Sequence, residues 1–285
     1  MMCTMTSANH PADRLCETVD RIGAPLCVGL DPVQQKMPVE LQGLNEVEAF
    51  RIFCGGVLDA VAGIAVAVKF QSACFERLGS IGVALLGTLR QDASDKGLQI
   101  ILDAKRGDIG ISAAHYAAAA TVEGPCDWIT VNPYLGIDGI EPFLDAGLGV
   151  FCLARTSNPS GDAIQLQQLK DGTTVAESIA ELLAICGDKY LGNSGWSSLG
   201  AVVGATKPEE AVQLRAIMRK QIFLMPGIGA QGASVKDASA CFSQGHGALV
   251  TASRSVIYPP SDTHWQTDIA NAAKKLSDEL QVVVL

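Results

Sequence analysis

Several function classes are excluded by what this chain has little of. It carries only four histidines, His10, His115, His246 and His264, whose spacing makes neither a metal-ligand pattern nor a Ser-His-Asp triad. His115 lies in an Ala-rich helical stretch and reads as structural. The nine cysteines are odd in number and include no Cys-x-x-Cys pair or zinc spacing. Cys27 and Cys152 fall in apolar runs, where a thiol behaves as a small hydrophobe, so a reducing cytoplasm is expected. Nowhere do the roughly 20 uninterrupted apolar residues of a membrane span occur. The richest stretch, Val57 to Val68, is short and carries Asp59. Met1 to Asn9 has no basic segment followed by an apolar one, so no secretory leader is expected. Cations are in deficit: the net charge of -9 argues against a nucleic-acid surface and against docking on anionic lipid. A small anion can still be held where cations converge. Aromatic residues make up 5%, and Trp128, Trp196 and Trp265 read as packing or surface residues.

Apolar residues, by contrast, are plentiful at 48% of 285, enough for a well-buried globular core. Eight short apolar runs stand out: Leu26–Leu30, Ala65–Phe70, Gln99–Asp103, Trp128–Val131, Val150–Ala154, Ala201–Gly204, Ile222–Met225 and Ala248–Thr251. Between them lie helical segments such as Glu46–Val61, Gly82–Lys96, Thr174–Cys186 and Pro208–Lys220. Such alternation predicts a parallel sheet covered by helices. Eight units favour a single (β/α)₈ TIM barrel over residues 1–285, with a doubly wound sheet of six or seven strands as the alternative. No linker, low-complexity tract or short-period repeat divides the chain. Residues 1–12 are expected to form a flexible extension, and the Asn/Pro/Ser/Gly cluster from Thr156 to Gln168 a long loop and candidate lid.

Polar residues cluster just after the apolar runs: Asp31, Lys69, Asp103 with Lys105, Asn132, Arg155 with Ser157, Gln231 and Arg254. In a barrel all strand carboxyl ends meet at one rim, where active sites lie. Asp103-Ala-Lys105-Arg106-Gly107-Asp108-Ile109 is the most informative stretch. Strand alternation puts Asp103 and Lys105 on one face, and Gly107 lets the backbone turn to bring back Asp108. The alternative is a solvated charge cluster capping a strand; the strand-end position and the other rim residues favour an arranged site. Lys69 either snorkels from the core or faces the same pocket. Asp31 could merely cap a turn before Pro32. Met225-Pro226-Gly227-Ile228-Gly229-Ala230-Gln231-Gly232 and Ser253-Arg254-Ser255 close the last two runs and suit a phosphate, with Arg254 as fixed charge and Gln231 as neutral donor. Ser157 has no His/Asp partners, so acyl transfer is not indicated.

With these pieces assembled, the chain resembles the orotidine 5′-phosphate decarboxylase family, specifically its longer bacterial-type branch (type 2). The resemblance runs through Val28-Gly-Leu-Asp31, Val68-Lys69-Phe-Gln-Ser-Ala and Leu102-Asp-Ala-Lys-Arg-Gly-Asp-Ile109. It continues in Val131-Asn-Pro-Tyr-Leu-Gly136, Arg155-Thr-Ser-Asn-Pro159, Val203-Gly-Ala-Thr206 and Pro226-Gly-Ile-Gly-Ala-Gln231. It implies a cytoplasmic homodimeric barrel with no metal or organic cofactor and no nucleic-acid or membrane partner. Its activity would be conversion of orotidine 5′-phosphate to UMP and carbon dioxide. By the same resemblance Lys69, Asp103, Lys105 and Asp108 form a charged catalytic array, with Lys105 as proton donor. Asp108, Ile109 and Ser112 would reach the neighbouring subunit's site. Asp31 and Lys69 would hold ribose hydroxyls, Ser157 the pyrimidine, and Pro226 would pack beside the nucleotide. Gln231, Ser253 and Arg254 would grip the phosphate, Ser253 standing where relatives often have Gly. Three other readings remain: a magnesium-dependent keto-sugar-phosphate decarboxylase of the same barrel superfamily, a class I aldolase with a Lys Schiff base, and a non-catalytic nucleotide-binding barrel.

Overall fold

The structure, a computed structural model, describes residues 10–228, 232–260 and 264–284. Eight parallel strands close on themselves in chain order: β1 (Leu26–Leu30), β2 (Ala67–Gln71), β3 (Gln99–Arg106), β4 (Trp128–Val131), β5 (Gly149–Arg155), β6 (Ser197–Val203), β7 (Gln221–Pro226) and β8 (Ala248–Ala252). The last pairs with the first, Leu26 opposite Val250. The expected TIM barrel is thus present, and the doubly wound alternative is excluded.

Besides short helical turns, the helices include α1 (Pro11–Ile22), α2 (Glu46–Val61), α3 (Gly79–Asp95), α4 (Gly110–Val122), α5 (Glu141–Asp145), α6 (Val175–Gly187), α7 (Pro208–Ile217) and α8 (Trp265–Val284). Their starts follow local chemistry. Asn45 accepts the Val47 N–H, and Glu46 and Glu48 occupy the first turn of α2. Thr174 and Glu177 form a reciprocal capping box at α6. Phe50, Phe53, Cys54, Val57 and Val61 recur at helical spacing along α2 and are buried against the sheet.

Two apolar layers result. Val68, Phe70, Ile100, Leu102, Ile129 and Val131 face the helices, while Cys27, Ala67, Ile101, Trp128, Phe151 and Leu224 fill the barrel interior. Trp128 stacks on Phe151 at 4.4 Å between ring centres, and Gly149 leaves room for the indole, since a Cβ there would enter its ring. At the amino-terminal end α1 lays Ala12, Leu15 and Val19 on this inner cluster. Asp13 fixes α1 further by accepting the Asn193 and Ser194 N–H groups at 2.9 and 2.8 Å.

One sequence expectation needs correcting here. The flexible extension assigned to residues 1–12 fails at its carboxyl end, because Pro11 and Ala12 are helical and buried; residues 1–9 lie outside the described residues. β6 begins at Ser197, before the apolar run that announced it. Its polar start is buried because the Ser197 hydroxyl donates to Gly187 O at 2.8 Å and accepts the Leu199 N–H.

Candidate active site

The inner face of β2 and β3 carries Ala67 and Ile101. Strand alternation therefore turns Lys69 and Asp103, two residues further on, toward the barrel axis at the carboxyl ends. They meet there: Lys69 Nζ donates to Asp103 Oδ2 at 2.7 Å, with both residues buried. Asp31 Oδ1 approaches the same ammonium at 3.8 Å from the end of β1. Lys105 Nζ reaches Asp103 Oδ1 at 2.6 Å, while its side chain stays 46% exposed, the open side of the cluster.

Simple alternation does not account for Lys105. Leu102 pairs with Ile129, but the next pair is Arg106 with Val131, so β3 bulges between them. Lys105 sits in this bulge with φ 46°, a left-handed conformation uncommon for a residue with a Cβ. Its N–H donates to Thr130 Oγ1 at 2.9 Å, and that hydroxyl donates to Asp103 Oδ1 at 2.8 Å. Gln71, with its amide nitrogen turned to the acid, donates to Asp103 Oδ2 at 3.1 Å and to the Asp103 carbonyl at 2.9 Å. Four donors thus converge on one carboxylate.

The electrostatics follow from that arrangement. Burial opposes the charged form of Asp103, but Lys69 and Lys105 outweigh it and hold its carboxyl well below the ordinary range. Burial likewise opposes the Lys69 ammonium; Asp103 and Asp31 outweigh it and push its pKa above the usual lysine value. The pair is therefore a fixed zwitterionic cluster across the neutral range. Asp31 Oδ1 and the Thr206 hydroxyl are buried without a hydrogen-bond partner.

The other expected residues sort as follows. Asp108 stands apart from the array, its Oδ1 accepting the Ile109 N–H at 2.8 Å, and Ile109 is exposed. Ser112 lies partly buried in the first turn of α4. Ser157 follows β5 and packs its backbone over Gly204 at the end of β6, where a Cβ would lie 3.0 Å from Ser157 Cα. Pro226 ends β7 half-buried, and Gln231 lies outside the described residues. Arg254 is exposed at the start of a short turn of helix after β8. Ser253 fits because β1 carries Gly29 opposite its hydroxyl; a Cβ there would collide with it.

Two rim residues are engaged by their own local partners. Asn132 caps the turn that follows β4. Arg155 is fully buried, pairing with Glu210 and with Asp162 at 2.6 Å and donating to Gln165 at 3.0 Å. It anchors the segment after β5, which holds a 3₁₀ turn (Pro159–Gly161) and a helical turn (Asp162–Gln165). Sequence reasoning missed Thr130 and Gln71. Each sits two residues beyond an inward-facing residue, Trp128 and Lys69, and that spacing was the available signal.

Among the described residues, no helix is long and apolar enough to cross a membrane. The eight cysteines among them are free thiols. Residues 24–261 match the model of the orotidine 5′-phosphate decarboxylase / HUMPS family. The chain is 37% identical over 298 residues to the orotidine 5′-phosphate decarboxylase of Rhodopirellula baltica, covering 95% of this chain and 98% of that one. It is 43% identical over 242 residues to the enzyme of that name from Deinococcus radiodurans, covering 82% and 84%. The solved Leishmania donovani OMP decarboxylase superposes with a TM-score of 0.80 at 30% identity, covering 96% and 98%. With a closed eightfold barrel, a Lys-Asp-Lys cluster at its mouth and relatives matched along nearly their whole length, this chain belongs to the orotidine 5′-phosphate decarboxylase / HUMPS family.

Proposed function

We propose that this protein converts orotidine 5′-phosphate to UMP and carbon dioxide, the last step of de novo UMP synthesis, in the cytoplasm and without metal or organic cofactor. The observation that carries the proposal is the Asp31–Lys69–Asp103–Lys105 cluster at the strand ends. Loss of carbon dioxide from C6 leaves a carbanion in the plane of the pyrimidine, where the ring π system delocalises it poorly. A site must then offset localised negative charge and deliver a proton. Lys105 serves both ends: its ammonium lies beside the forming carbanion and then protonates C6. Asp103, oriented by its four donors, faces the departing carboxylate and keeps Lys105 charged and aimed.

The remaining roles extend the same reading. Asp31 and Lys69 hold ribose hydroxyls, Ser157 the pyrimidine, and Pro226 packs on the nucleotide. Arg254, Gln231 and the backbone at Ser253 grip the phosphate. Enzymatic accelerations require roughly 8–23 kcal/mol of barrier lowering, more than one ammonium supplies, so phosphate binding is spent on closing the site. The active unit is a homodimer in which Asp108, Ile109 and Ser112 complete the neighbouring site. Support comes from Ile109, Ile111, Tyr134 and Leu135, large apolar side chains exposed at the start of α4 and in the 3₁₀ turn after β4.

The decisive experiment follows the absorbance loss as orotidine 5′-phosphate is converted, with and without EDTA. Turnover that survives the chelator, is abolished in Lys105→Ala and leaves UMP binding intact in that variant supports the assignment. An intact protein that leaves the nucleotide unchanged refutes it, and turnover that dies with EDTA refutes metal independence.

A further inference from the structure

We infer that Thr130 is a positioning residue that sets the backbone of Lys105 and thereby aims its ammonium. The kinetic part of this inference rests on the decarboxylase reading; the geometric part does not. Thr130 lies on β4, 1% exposed, one step above Trp128 on the inner face of the barrel. A hydroxyl has one proton to give and lone pairs to receive. Here the proton goes to Asp103 Oδ1, and a lone pair takes the N–H of Lys105.

The bulge explains why that bond matters. Where β3 and β4 fall out of register between Leu102 and Arg106, the Lys105 amide meets the Thr130 side chain instead of a β4 carbonyl. The side chain substitutes for the missing rung of the ladder. Lys105 stays in a left-handed conformation that side chains with a Cβ rarely adopt, which persists only when the surroundings hold it. Thr130 holds the backbone, and Asp103 holds the ammonium at 2.6 Å. Because Thr130 touches both Asp103 and the Lys105 amide, it couples the orientation of the carboxylate to that of the ammonium. Arg106, one residue on, is held separately by Glu76 at 2.6 Å and lies over the Tyr116 ring, so the carboxyl end of the bulge is fixed as well.

The test compares Thr130→Val, which keeps the branched shape and removes both bonds, with Thr130→Ser, which keeps the hydroxyl. For Thr130→Val, kcat should fall roughly 10- to 100-fold, the scale of a misplacement of about 1 Å, with UMP affinity changed by less than about threefold. Thr130→Ser should recover most of the lost turnover. A crystal structure of Thr130→Val should show Lys105 out of the left-handed region or its Nζ away from Asp103. Undiminished turnover in Thr130→Val, a Ser variant as slow as the Val variant, or an unmoved Lys105 would each overturn the inference. A wild-type protein inert toward orotidine 5′-phosphate would instead refute the decarboxylase reading, and the crystallographic comparison alone would then decide the positioning role.

Discussion

Asp103 concentrates the energetics of the site at a single residue. Removing one partner of a buried charged pair costs about 3–5 kcal/mol, because the other is left uncompensated. Asp103→Asn should therefore destabilise the protein on that scale while suppressing turnover. The pH dependence has a definite sign. A carboxyl with a depressed folded pKa contributes stability that is complete above its ordinary value of 3.8 and is lost as pH falls toward the folded value. Lys69, whose pKa is raised, contributes stability that is complete below 10.5 and lost as pH rises beyond it. The difference in melting temperature between wild type and Asp103→Asn should be widest near neutrality and shrink below about pH 3.8. An offset that stays constant down to acid pH would mean that Asp103 is not held ionised by its neighbours.

At the scale of elements, Arg155 ties a loop to a helix. The guanidinium carries no exposed surface and joins Asp162 and Gln165 in the segment after β5 to Glu210 on α7, while Lys207 holds Asp162 from the other side at 3.0 Å. Arg155→Met keeps the apolar stem and drops every bond the guanidinium makes, leaving only the Lys207–Asp162 pair. The 156–168 segment should then become susceptible to limited proteolysis, and UMP affinity should fall several-fold as Ser157 loses its support. A digestion pattern identical to wild type would show that the segment is held by other means. The sequence marked Arg155 as a rim residue beside Ser157, and that position is right. Its direction was not legible, because Asp162 and Glu210 approach it from a loop and a helix packed outside the barrel.

At the scale of the whole molecule, the inner layer of Trp128, Phe151 and their neighbours fills the barrel axis and α1 seals its base, so the open end at the strand carboxyl termini is left for ligand. Lys105 occupies that end, whereas Asp108 forms no ion pair with that cluster and its Oδ1 accepts the Ile109 N–H. If each site borrows Asp108 from its neighbour, mixing and re-associating the inactive Lys105→Ala and Asp108→Asn proteins should restore activity that neither has alone. No rescue in the mixture, with dimer exchange verified by mass, would place Asp108 in its own subunit's site or outside the chemistry.

Local physics made much of this protein readable from its residues. Strand and helix periods, caps and apolar runs act over a few positions, so the eight strands emerged, Trp128–Val131 and Glu46–Val61 with their observed limits, and the charged strand ends with them. What the fold alone decided are the relations between strands. The bulge opposite β4, the left-handed Lys105, the four donors on Asp103 and the outward pairing of Arg155 depend on register and on elements distant in the chain. A side chain's neighbours across a barrel are set by how the strands slide against one another, and no pattern within a single strand encodes that shift.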